Sequence, residues 1–197
     1  SWVEVVVRDK AKFEKKYAKT LDSLREEGFI NFHVREFSVK LGRHAPNTYR
    51  FLEEPQVKAT YTYIPDIDIM FLEDVTEAYS FPWPDPQLPY NNRLRLKDER
   101  LHGLHFVKTS HYFTPRFLDL QAQVAHEGPK KNDELILTEL CSQAFGPLDR
   151  NWRNKPTIEK TLLHNLGIHF SPNRGPGKRM KLGTSRANRE RFIKLKE

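Results

Sequence analysis

Residues 171–197, SPNRGPGKRMKLGTSRANRERFIKLKE, set the tightest limit on what this chain can fold into. Three glycines and two prolines interrupt any long periodic pattern, and nine basic residues face only two acids, Glu190 and Glu197. Such a segment has too little apolar surface to offset the entropy of ordering it alone. A packed core must therefore come from the residues before it. Those hold 24 of the 33 basic and 24 of the 26 acidic side chains, so the body is neutral and the arm carries the whole net charge of +7. The arm is predicted to meet a polyanion.

The arm's cations are Arg174, Lys178, Arg179, Lys181, Arg186, Arg189, Arg191, Lys194 and Lys196, mostly two to five residues apart. Phosphates along a nucleic-acid strand recur on a comparable spacing, and each one neutralised releases condensed counterions. Met180, Leu182, Phe192, Ile193 and Leu195 are interleaved among them. A purely solvating tail has no need of these apolar side chains, which suit crevices on a partner.

The body is thinly supplied with core residues. Counting glycine in place of tyrosine, about 39% of the chain is apolar against a usual 45 to 50%. Thirteen phenylalanines partly compensate, since each aromatic ring buries a large area. The single cysteine, Cys141, excludes an internal disulfide framework and a cysteine-rich zinc site, as in a reducing compartment. No apolar run approaches the roughly 20 residues that span a bilayer. The chain opens at Ser1 on WVEVVV without a methionine; loss of a targeting peptide is one expectation, and it points to an organellar matrix.

The patterns along the chain predict a mixed α+β fold: a small, mainly antiparallel sheet with one long packed helix, then a short helical region and the basic extension. Residues 2–8 read as a strand, and 9–28 as a helix with Phe13, Tyr17, Leu21 and Leu24 in one stripe, closed by Gly28. The alternation over 29–41 changes parity at Arg35 and Glu36, which predicts a bulge. A loop over 42–56, an extended stretch broken by Pro65, a short helix at LEDVTEAY and a proline-rich strap over 80–92 come next. Residues 104–113 read as a further strand. Helices are predicted after Thr114 and Asn132, and over 154–167. The first six elements could close a ferredoxin-like split βαβ sandwich. The division expected is an α+β domain over 1–113, a helical region over 114–170 packed on it, and the extension over 171–197.

Three candidate chemistries can be weighed. Asp66 and Asp68 in IPDIDIMFLED lie two apart on an extended segment, a spacing by which nucleases and nucleotidyl transferases hold Mg2+. The acid-x-Lys that metal-dependent nucleases place downstream is missing, as is the Gly-Ser that precedes the pair in nucleotidyl transferases. His102, His105 and His111 form the densest histidine group but meet neither strand nor helix ligand spacing; donation to phosphates needs no such spacing. Cys141 falls on an apolar helical pattern with Leu137 and Leu140 and reads as a buried small hydrophobe. No nucleophile elbow or glycine-rich phosphate loop occurs.

The expectation is therefore a non-catalytic RNA-binding component of a large ribonucleoprotein, most specifically a mitochondrial ribosomal protein whose arm lies along rRNA. No cofactor or metal is expected. Arg150, Trp152, Arg153 and Lys155 are a second candidate contact, an aromatic among cations able to meet an unstacked base. The strap with Trp83 and Tyr90 is expected to hold a neighbouring protein. Two alternatives stand beside this: a metal-dependent nuclease or nucleotide-processing enzyme using Asp66 and Asp68, and an accessory subunit of a respiratory complex.

Overall fold

In a computed structural model of the chain, residues 1–38, 46–66, 69–71, 87–92, 94–95, 99–126, 132–148, 167–171 and 181–182 are described. They form helices with small sheets, a mixed α+β arrangement.

The chain begins with a strand, a helix and a strand: β1 (Val3–Val7), α1 (Lys10–Glu26) and β2 (Phe32–Glu36). Asp9 caps α1 by accepting from the Lys12 backbone N–H at 2.8 Å, and Gly28 takes the left-handed φ of 83° that lets the chain turn back. β1 and β2 pair directly and in parallel, from Val3 opposite Phe32 to Val7 opposite Glu36. This corrects the ferredoxin-like expectation, because a split βαβ unit leaves room for another strand between these two. The short connections at 8–9 and 27–31 return β2 beside β1 instead. The predicted bulge is absent also. Val34 and Arg35 are both buried, so the change of parity marks a strand covered on both faces.

The body follows. A 3-10 helix, Pro46–Phe51, occupies the predicted loop, and Tyr49, Phe51 and Leu52 from it and its end enter the core. β3 (Tyr61–Ile64) stops at Pro65, and β4 (Ile69–Phe71) lies beyond. The end of the strap is a strand, β5 (Tyr90–Asn91), and a hairpin is made by β6 (Leu94–Arg95) and β7 (Arg100–Leu101). β8 (His105–Lys108) is the centre of a three-stranded antiparallel sheet in the order β3, β8, β5. Three helices come next: α2 (Thr109–Tyr112), α3 (Pro115–His126) and α4 (Asp133–Phe145). Thr114 Oγ1 accepts from Phe117 N and Asn132 Oδ1 from Glu134 N, the caps that the sequence predicts.

One core joins these parts. Tyr90 of β5, Tyr112, Phe113 and Phe117 of the helical region and Leu137, Leu140 and Cys141 of α4 belong to a single cluster. Phe117 and Phe145 stack at 5.6 Å, while Tyr112 meets Phe113 edge to face at 5.0 Å, the offset geometries that aromatic rings prefer. Burying side chains of this size contributes about 1.5 to 3 kcal/mol each.

The last described elements are β9 (Gly167–Ser171) and β10 (Lys181–Leu182). β9 is the middle strand of an antiparallel sheet, with β4 on one side and β10 on the other. The expected boundary at 170/171 thus falls inside a strand. The helices predicted at LEDVTEAY and over residues 154–166 lie outside the described residues, as does most of the strap.

Candidate nucleic-acid interface

Of the thirteen residues predicted to touch RNA, Arg150, Trp152, Arg153, Lys155, Arg174, Lys178, Arg179, Arg186, Arg189, Arg191, Lys194 and Lys196 lie outside the described residues. Lys181 is on β10, opposite Ser171 of β9. The arm therefore begins on a sheet of the body.

The candidate carboxylates meet a different partner. Arg50, carried on the 3-10 helix, donates from Nη1 to the Pro65 carbonyl at 3.0 Å and to Asp66 Oδ1, and from Nη2 to Asp133 Oδ2 at 2.9 Å. Its guanidinium also lies over the Phe51 ring, 4.5 Å from the centroid. Beside it, Glu134 faces Arg100 Nε at 3.2 Å and accepts from Gly103 N at 3.2 Å. A Cβ on Gly103 would stand 2.8 Å from Arg50 Nη2, so a side chain there would displace the end of the guanidinium from this network. Asp66, Asp133 and Glu134 are thus distributed over two guanidiniums, an arrangement that ties β3, β7 and α4 together. Asp68 lies outside the described residues. Among the described residues, no cluster of three or more His, Cys, Asp or Glu side chains could hold a metal ion.

The three histidines have separate surroundings. His111 is exposed on α2, with Nδ1 3.2 Å from Ser110 Oγ. His102 is bound through its backbone: Asn92 Oδ1 accepts from its N–H at 3.0 Å and Asn92 Nδ2 donates to its carbonyl at 2.9 Å. That double contact sets the orientation of the Asn92 amide. Asn92 Nδ2 is then a donor to His105 Nδ1, 2.7 Å away, which leaves the His105 proton on Nε2. Nε2 points at Cys141 Sγ, 4.0 Å distant, and Sγ is 3.6 Å from the Tyr112 hydroxyl.

Cysteine, histidine and asparagine are the residue types of a nucleophilic triad, but here the polarity is reversed. A triad asparagine accepts from the imidazole so that the other nitrogen can take the thiol proton; Asn92 donates. Burial, helped by the charge of Arg50, pushes the His105 pKa down to about 3. Burial likewise pushes the Cys141 thiol up to about 12, opposed by its contact with Tyr112, and Tyr112 is raised well above its usual value. All three side chains are neutral at physiological pH and buried in the core. They form a polar seam that orients rings, and the sequence had no signal for it beyond the burial predicted for Cys141.

A shallow cleft of about 360 Å3 opens between β3 and α2, lined by Thr60, Tyr61, Lys108, Ser110 and His111 with the Gln87–Pro89 turn. Its side chains could hold an anionic group. Of its backbone, Lys108 N is spent within the fold, donating to Pro89 O at 2.8 Å.

One surface of the N-terminal unit is apolar and open. Trp2, Phe29 and Ile30 are 57%, 60% and 73% exposed and lie next in the chain to the bond by which Val3 N donates to Asn31 O, at the entry to both parallel strands. Among the described residues, no helix is long and apolar enough to cross a membrane.

The chain matches no known family model, no curated protein and no solved structure with which it was compared.

Proposed function

We propose that this protein is a structural RNA-binding component of a large ribonucleoprotein, most specifically a mitochondrial ribosomal protein of the matrix whose C-terminal arm contacts rRNA. The observation that carries this reading is the segregation of charge: nine cations and two acids in residues 171–197, against a balanced body. Two features support it. The open apolar surface at Trp2, Phe29 and Ile30 suits a neighbouring protein in a large assembly. The pairing of Lys181 and Leu182 with β9 gives the arm a fixed origin from which to follow a strand of phosphates. Trp152 with Arg150, Arg153 and Lys155 supplies a second contact in this reading.

The test is sedimentation of the native protein with ultraviolet crosslinking in cells. Cosedimentation with ribosomal particles and nucleotide adducts on peptides from 171–197 are expected; a protein that travels free and yields no adduct overturns the reading. The metal-dependent nuclease stands lower, because Asp66 is engaged by Arg50. RNA cleavage in Mn2+ that disappears on Asp68→Ala would put it first.

A further inference from the structure

The neutral total of the body conceals a second concentration of cations. Residues 8–19 carry Arg8, Lys10, Lys12, Lys15, Lys16 and Lys19 against Asp9 and Glu14. The two acids are engaged locally, Asp9 as the α1 cap and Glu14 facing Lys10 at 3.9 Å. Lys12, Lys15, Lys16 and Lys19 are all exposed. Lys12, Lys15 and Lys16 stand at i, i+3 and i+4 on one side of the first part of α1, and Lys19 follows just beyond the kink at Tyr17, where φ is −110° and ψ 18°. The other side carries Phe13, Leu21 and Leu24, with Leu21 buried and the other two partly so. The helix is held by one face and presents lysines on the opposite one.

This arrangement is unfavourable for the helix itself. Like charges three and four residues apart repel. The lysines also occupy the N-terminal half, where the helix dipole is already positive; α1 has no acid in its first turn, and the Asp9 cap and Glu36, whose Oε1 accepts from Lys10 N at 3.0 Å, offset that end. In the same chain, α4 places Asp133 and Glu134 in its first turn. A face that costs the free protein stability is explained if an anion is present to offset it.

We infer that the Lys12, Lys15, Lys16 and Lys19 face of α1 binds an RNA phosphate backbone. Tyr17, 40% exposed, packs on Phe13 of the apolar stripe at 4.8 Å and has Lys16 Nζ 5.1 Å from its ring centroid, which puts an aromatic edge beside the lysines. An anionic membrane is disfavoured by the geometry. Amphipathic helices bind bilayers by inserting the apolar face opposite their lysines, and here that face is already covered within the protein, with Leu21 buried and Phe13 and Leu24 partly so. The identity of the polyanion rests on the ribonucleoprotein reading; the evidence for the face does not depend on the arm.

The experiment uses the full chain and three variants: the four α1 lysines changed to Gln, the same four changed to Arg, and Lys178, Arg179, Arg186, Arg189, Arg191, Lys194 and Lys196 of the arm changed to Gln. Binding to a single-stranded RNA and to vesicles containing phosphatidylserine is measured across a salt series. For the α1 Gln variant, RNA affinity is expected to fall more than tenfold at low salt, and the log–log salt slope to shrink by about 2 to 3, since each single-strand phosphate contact contributes about 0.7. The Arg variant should bind as wild type. The thermal midpoint of the Gln variant should hold or rise, which separates lost contact from lost fold. Unchanged RNA binding in the α1 Gln variant with loss in the arm variant overturns the α1 face alone. Wild-type RNA binding in both Gln variants overturns the ribonucleoprotein reading as well. Lysine-dependent binding to vesicles with none to RNA also overturns the inference.

Discussion

Arg35 Nη1 lies 2.6 Å from Glu53 Oε2, and both side chains are almost wholly buried. The same guanidinium reaches Glu4 Oε1 at 2.7 Å through Nε and the Glu54 carbonyl at 2.9 Å through Nη2. Glu4 in turn accepts from the backbone of Gln56 and Val57, and Glu53 from Ser38. One arginine thus joins β1, β2 and the segment after the 3-10 helix. Burial alone would lower the Arg35 pKa, but its bonds to Glu53 and Glu4 outweigh that and raise it.

Replacing Arg35 by Leu strands Glu53 in the interior without a counter-charge. We expect a loss of about 3 to 5 kcal/mol in denaturant unfolding. Glu53→Gln, which keeps an acceptor, is expected to cost about 1 to 3 kcal/mol. A near-zero effect of Arg35→Leu would show that the N-terminal unit is not held through this node.

Phe117 is fully buried and contacts Tyr112, Phe113 and Phe145, so Phe117→Ala is expected to remove about 3 to 5 kcal/mol. Ile30→Ser, on the open surface, should stay within about 0.5 kcal/mol of wild type. The same substitution should lower the tendency of the isolated protein to associate, measured by light scattering.

His105 is held neutral, with its folded pKa near 3 against an ordinary 6.5. Below pH 6.5 the unfolded chain takes up a proton that the folded chain refuses, so stability falls as pH falls from about 6.5 toward 3. By pH 5 the loss is on the order of 2 kcal/mol from this group. Chemical unfolding at pH 7 and pH 5 measures it; in His105→Gln the difference between the two pH values should shrink by that amount.

Cys141 should resist alkylation at pH 8 in the native protein and react on unfolding, because the thiol is buried and protonated. Mass spectrometry after a short pulse of iodoacetamide distinguishes the two. Rapid native labelling would mean that the core around α4 opens.

Much of the secondary structure was legible in the sequence where local chemistry decides it. Asp9, Thr114 and Asn132 start helices as their side chains require, Gly28 and Gly146 end two of them with positive φ, and Pro65 stops β3. Pairing was not legible. That β1 lies directly beside β2, and that β4 pairs with β9, depends on contacts between distant segments that no local pattern encodes. Tyr49, Phe51 and Leu52 read as loop because Gly42, Pro46 and Pro55 surround them, yet burial draws them into a 3-10 turn. Among the candidate residues, Asp66 was visible as an acid but its partner Arg50 was not, since sixteen positions separate them. The lysine spacing on α1 was present in the sequence all along. Summing the body's charge to zero hid it.

The pairing of Ile69 with His169 has a consequence for how the molecule is made. During synthesis β4 leaves the exit tunnel long before β9 exists, so its pairing waits until that strand has emerged. The rest of the body, whose strands and helices are closer together, can consolidate first. Closing of that sheet then follows consolidation of the rest of the body. It would set the moment at which the cationic arm acquires its anchorage.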